Sequence, residues 1–107
     1  MNIVESFISV PGDHDPQIKS IAIFGRRWFQ KTCGNTYHSV QIFVNTMEIK
    51  LPYQYGYGEQ YYWTAINYLV KNGYIIQENN ESVREWAIRN KVNLVSAVVD
   101  VARKKDL

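Results

Sequence analysis

The stretch "SIAIFGRRWFQKTCGNTYHSVQIFVNTMEIKLP", Ser20 to Pro52, decides how the chain folds. From Ile18 to Phe29 the residues Ile21, Ile23 and Phe29 alternate with Ser20, Ala22 and Phe24. From Thr36 to Val44 the set Val40, Ile42, Val44 alternates with Ser39, Gln41 and Phe43. A period of two is that of a strand with one face turned to a core. Between the two runs, Gly34 and Asn35 offer the positive backbone angles of a hairpin turn. A third strand, Met47 to Leu51, follows a tight Asn45-Thr46 turn, with Met47, Ile49 and Leu51 on one side and Glu48 and Lys50 on the other. Pro52 ends it, because proline cannot donate to a ladder. The stretch therefore predicts an antiparallel meander.

Beyond it the period changes. From Glu59, the residues Tyr62, Ala65, Ile66, Leu69 and Val70 recur at steps of three and four, the stripe of a helix lying on a sheet. Asn72-Gly73 supplies a C-cap, and after the short apolar Tyr74-Ile75-Ile76, Ser82 and Glu85 form an S-x-x-E capping box. It opens a second helix containing Trp86 and Ile88. From about Val92 to Arg103 a helical stripe and a strand compete; the β-branched residues of VNLVSAVVDV, preceded by the polar RNKVN, favour the strand. The expected fold is α+β: an antiparallel sheet in the order β-β-β-α-α-β with two helices on one face, a two-layer sandwich. The N-terminal NIVESFISV adds a candidate edge strand, so residues 1–17 read as strand plus loop.

At 107 residues, 46% apolar and 21% charged, the chain suits one domain with one core. No run approaches the ~18 consecutive apolar residues of a membrane span, and Glu5 with no basic region argues against a signal peptide. The single cysteine, Cys33, excludes an internal disulfide and any multi-cysteine zinc site, so a cytoplasmic location is expected. The net charge of +2 is unevenly spread. Residues 16–47 hold Lys19, Arg26, Arg27 and Lys31 with no acid, and Arg103, Lys104 and Lys105 lie near the end. If the two groups meet, they form a local positive surface.

Several residues could carry chemistry. His38, with Lys31, Arg26, Arg27 and Tyr37 nearby, resembles the inventory of a metal-independent phosphodiesterase, a general acid/base beside cations. It shares its face with Val40 and Ile42, however, and a half-buried structural histidine has the same pattern. His14, between Asp13 and Asp15, is a chemically feasible metal corner, but adjacent loop residues rarely converge on one ion, so no metal or cofactor is expected. Cys33 lacks a base and an orienting partner. In "FGRRWFQK" Arg26 and Arg27 point to opposite faces, as do Trp28 and Phe29, so each face pairs an arginine with an aromatic ring. Arginine supplies bidentate phosphate recognition, and aromatic faces supply sequence-tolerant base stacking. The alternative is an arginine that simply covers a tryptophan edge.

"YQYGYGEQYYW", Tyr53 to Trp63, places five tyrosines at the junction between the meander and the first helix. Two glycines before a helix suggest a phosphate cradle, but Glu59 in the first turn would repel an anion, and G-Y-G has neither the spacing nor the lysine of a nucleotide loop. The glycines read as making room for tyrosine rings. The helical period sends Tyr62 to the core. Tyr53, Tyr55 and Tyr57 remain as a candidate recognition surface beside Arg26, Arg27, Trp28 and Lys31.

"FGRRWFQKTCGNTYHSV", "YGYGEQYYWTA" and the ending "DVARKKDL" together resemble small proteins encoded by tailed bacteriophages and prophages, over most of the chain from Ser20 onward. The resemblance implies a host-cell accessory protein and carries no established activity. Three readings follow. The first is a non-enzymatic module that binds a nucleotide or nucleic acid through its arginine and aromatic surface. The second is a protein-interaction module, such as a viral inhibitor of a host defence enzyme or a homo-oligomeric accessory subunit. The third is a small nuclease or phosphodiesterase using His38.

Overall fold

A computed structural model describes residues 17–107. Three consecutive strands, β1 (Ser20–Gln30), β2 (Asn35–Val44) and β3 (Met47–Tyr55), form the expected meander. They are followed by helices α1 (Gln60–Lys71) and α2 (Val83–Arg89), the strand β4 (Asn93–Val101) and a short 3-10 turn, Lys104–Asp106. The fold is α+β, one sheet with two helices. The expected N-terminal edge strand and His14 lie outside the described residues, and Tyr74-Ile75-Ile76 is irregular chain with Ile75 buried in the core.

The strand order is β3-β2-β1-β4. β1 pairs antiparallel with β2, and β2 with β3, but β4 runs parallel to β1, from Ser20 opposite Asn93 to Trp28 opposite Val101. The sheet is therefore mixed, which corrects the all-antiparallel expectation. After β3 the chain passes through both helices and returns at the opposite edge of the sheet, as a crossover to a parallel strand requires.

Local chemistry fixes the ends of these elements. Asn45 takes a positive φ of 55° in the β2–β3 turn, and its side-chain oxygen accepts from the amides of Lys19 (2.8 Å) and Ser20 (3.2 Å), tying that turn to the start of β1. Helix α1 ends in a Schellman motif: Gly73, at φ 82°, donates to Val70 O and Tyr74 donates to Leu69 O. Helix α2 opens with the expected capping box, Glu85 N to Ser82 Oγ at 3.1 Å and Ser82 N to Glu85 Oε1 at 2.9 Å.

The core lies between one sheet face and the helices. Ile21, Ile23, Val40, Ile42 and Val44 meet Tyr61, Ala65, Ile66 and Leu69 of α1 and Val83, Trp86 and Ala87 of α2. Ala65, Ile66 and Leu69 of the expected helical stripe are buried, but its margins differ. Tyr61, 4% exposed, is the buried ring; Tyr62 is only half-buried and Val70 is exposed. Tyr61 enters because Gly25 leaves it space. A Cβ at Gly25 would stand 2.5 Å from Tyr61 Cδ2 and 2.6 Å from Cγ. The rotation of α1 is thus set by a glycine on β1.

Candidate recognition surface

Strand alternation divides the proposed site residues between the two sides of the sheet. The helix-covered side carries Ile21, Ile23, Gly25 and Arg27 from β1 and, opposite them, Val44, Ile42, Val40 and His38 from β2. The other side carries neither α1 nor α2. It carries Phe24, Arg26 and Trp28 from β1, Tyr37, Gln41 and Phe43 from β2, and Val95, Ala97 and Val99 from β4.

A β-bulge settles which side receives the tyrosines. Val40 pairs with Leu51 and His38 with Gln54, so Ser39 alone faces Pro52 and Tyr53. Proline has no amide to give the ladder and sits comfortably in such an irregularity. The extra residue reverses the alternation of β3. Ile49 and Leu51 face the core, and without the bulge Tyr53 and Tyr55 would follow them. Instead both reach the open face. There Trp28 stacks on Tyr37 with centroids 5.9 Å apart and an interplanar angle of 26°, and Tyr53 and Tyr55 meet Tyr37 edge-on at 6.1 and 6.0 Å. Tyr55 is 59% exposed. Phe24 and Phe43 form a second, edge-to-face pair at 6.0 Å.

Cations border this surface. Arg26 is exposed and makes no hydrogen bond or ion pair with another described residue. Beyond β4 the C-terminal segment reaches the aromatic end of the face, and Lys104 Nζ stands 5.0 Å from the centroid of Tyr53. The second basic group thus does reach the tyrosines. Lys50 shares the face with Glu48, which pairs with both it and Gln41.

Arg27 has a different role. Its Nε donates to Asp100 Oδ1 at 2.8 Å and its Nη1 to Gly58 O at 3.0 Å, clasping β1 to β4 and to the loop before α1. It therefore lies on the opposite side of the sheet from Arg26 and the Trp28–Tyr37 stack, with Nε and Nη1 already engaged. Lys31 and Tyr57 line, with Arg27, Phe29, Gly58 and Asp100, a shallow depression of about 470 Å³ at the end of the sheet, apart from the Trp28–Tyr37 stack. Of the seven residues expected to form one surface, Arg26, Trp28, Tyr53 and Tyr55 come together, while Arg27, Lys31 and Tyr57 gather elsewhere.

His38 is 1% exposed beneath α1. Its Nδ1 lies 3.2 Å from Gly56 O and its Nε2 2.9 Å from Thr64 Oγ1. A carbonyl only accepts, so Nδ1 carries the proton and Nε2 accepts from the threonine hydroxyl. Burial lowers its pKa, partly offset by the bond to Gly56. Both nitrogens are occupied by protein and none faces solvent, which leaves no route for general acid/base chemistry. Gly56 makes this packing feasible: a Cβ there would lie 2.7 Å from His38 Cε1. That glycine makes room for an imidazole rather than for a tyrosine ring. Glu59 is the N-cap of α1 rather than a first-turn residue, and its side chain makes no capping bond.

Cys33 is exposed in the β1–β2 turn. Among the described residues no three His, Cys, Asp or Glu side chains cluster to hold a metal, and no helix is long and apolar enough to cross a membrane. Sequence reasoning overlooked Tyr37 and Lys104 as members of the surface. Tyr37 was within reach, since a four-residue turn after Gln30 puts it opposite Trp28; Lys104 arrives only through the β1–β4 pairing. The chain is matched by no protein family model, no curated protein and no solved structure.

Proposed function

We propose that the open sheet face binds single-stranded nucleic acid without catalysing a reaction on it. The observation that supports this reading is the aromatic group Trp28, Tyr37, Tyr53 and Tyr55 on the helix-free face of a four-stranded sheet, with Lys104 over one ring and Arg26 on the same face. Exposed rings on a sheet stack unpaired bases, and nearby cations neutralise the backbone between them. Duplexes are poor candidates because their bases are already stacked on one another. The resemblance to small phage-encoded proteins agrees with a binding role and selects no sequence.

The test is fluorescence anisotropy with labelled DNA and RNA oligonucleotides of about ten nucleotides, at low and high salt. Each stacked base is worth about 1–3 kcal/mol, so Tyr55→Ala should weaken binding by roughly 5- to 150-fold. Arg26→Gln should weaken binding and flatten its salt dependence, whereas Arg27→Gln should leave the salt slope unchanged because that guanidinium is held by Asp100. Absence of salt-sensitive binding to either oligonucleotide removes the reading.

A second reading, a surface for a protein partner, is favoured by the other end of the same face. There Phe24, paired edge-to-face with Phe43, is exposed beside Val95 and Val99.

A further inference from the structure

The two edges of the sheet are built differently. β3 carries Glu48, Lys50 and Pro52 and is broken by the bulge, all of which discourage pairing with another strand. β4, NLVSAVVDV, is nine residues long, contains no lysine, arginine or proline, and pairs with β1 without a register shift. Its single charge, Asp100, is already bonded to Arg27. Among the described residues nothing pairs with its outer side. A long, flat edge without such protection invites a further strand.

The pattern of β4 favours a second copy of itself. Asn93 donates its amide inward to Lys19 O. Backbone groups alternate along a strand, so the amides and carbonyls of Leu94, Ser96, Val98 and Asp100 point outward. We propose that two chains pair through β4 in antiparallel register about a two-fold axis at Ala97. In that register Ser96 of one copy exchanges hydrogen bonds with Val98 of the other, and Leu94 with Asp100, about eight bonds in all. The inward-bonded residues form the close, non-hydrogen-bonded pairs: Ala97 meets Ala97, and each Val95 meets a Val99 on the open face. Val95 and Val99 are 48% and 56% exposed in the single chain, and this pairing covers both. The smallest side chain of the central five, that of Ala97, sits on the axis.

Charge also fits. Arg84 lines a depression of about 480 Å³ together with Leu94 and Ser96. In the proposed register Asp100 of the second copy, whose side chain is 75% exposed, arrives opposite Leu94 at the mouth of that depression. Symmetry makes the contact twice. The axis is perpendicular to the sheet, so both open faces lie on the same side of an eight-stranded sheet. The dimer does not depend on the nucleic-acid reading, because it rests on the strand edge alone.

Sedimentation equilibrium of the full chain should give twice the 12.5 kDa chain mass, dissociating on dilution. Ser96→Pro removes an outward amide at an edge position where proline is tolerated, and should leave a folded monomer. Val99→Lys, on the solvent side, should weaken dimerisation at least about 10-fold through an unpaired charge facing Val95. The double change Val95→Glu/Val99→Lys should restore it, since each introduced carboxylate then faces an introduced ammonium across the axis. A wild-type monomer at every concentration overturns the proposal, as does a dimer indifferent to Ser96→Pro or a double variant that stays monomeric. A monomer whose Leu94, Ser96, Val98 and Asp100 amides resist hydrogen exchange assigns the edge to another segment of the same chain, and overturns it too.

Discussion

Gly25→Ala tests the packing that orients α1 over the sheet. The added methyl would stand 2.5 Å from Tyr61 Cδ2, 2.6 Å from Cγ and 2.9 Å from Cβ. Carbon atoms rest about 3.5–4.0 Å apart, so the ring must withdraw by about 1 Å. Rotation about its side-chain bonds does not suffice, because the Cβ of Tyr61 is itself among the clashing atoms. The first turn of α1 has to move. Overpacking costs about 1–3 kcal/mol, and replacing a strand glycine returns about 0.5–1 kcal/mol. Three simultaneous contacts with an almost inaccessible ring put the clash at the upper end, giving a net loss of about 2 kcal/mol. Urea denaturation should show it as a midpoint lower by roughly 1.3 M at an m value of about 1.5 kcal/mol/M. In a Tyr61→Ala background two of the three contacts vanish, so the same change should cost at least about 1 kcal/mol less. Strict additivity of the two substitutions would refute the idea that Gly25 and Tyr61 are matched.

Two further outcomes follow from the described contacts. His38 has a folded pKa below its ordinary 6.5, so the unfolded chain takes up a proton first as pH falls; stability is therefore intact above about pH 6.5 and is lost toward the folded pKa, with a slope of at most about 1.4 kcal/mol per pH unit. Thermal melts of wild type and His38→Gln between about pH 8 and pH 5 should show that slope only in the wild type, and equal slopes would contradict the assignment. Ser82→Ala removes the side-chain half of the α2 capping box and should cost about 1 kcal/mol in chemical denaturation, with Ser82→Thr retaining most of it.

The meander, both helix caps and the strand character of β4 were legible because they depend on short-range pattern. Alternation separated Arg26 from Arg27 correctly. What it lacked was Asp100, a partner 73 residues away that clasps Arg27 to β4. The direction of β4 was not legible either, since a period of two has no polarity and orientation is set by the path of the preceding helices. Tyr61 and Tyr62 are neighbours on an amphipathic helix and both continue a stripe through Ala65. The choice between them is made by Gly25 on another element. His38 was correctly placed on the face of Val40 and Ile42, but its satisfaction by Gly56 and Thr64 required the β3–α1 junction to fold back over it.

The bulge at Ser39 gives the chain an unusual latitude in its length. Because two residues of β3 stand opposite Ser39 alone, loss of a single codon at position 52 or 53 would close the bulge and leave Gln54 opposite His38 and Tyr55 opposite Tyr37. Shortening by one residue should therefore be tolerated between Leu51 and Gln54, where it would cost this edge strand its irregularity while the ring at position 55 kept its place on the open face.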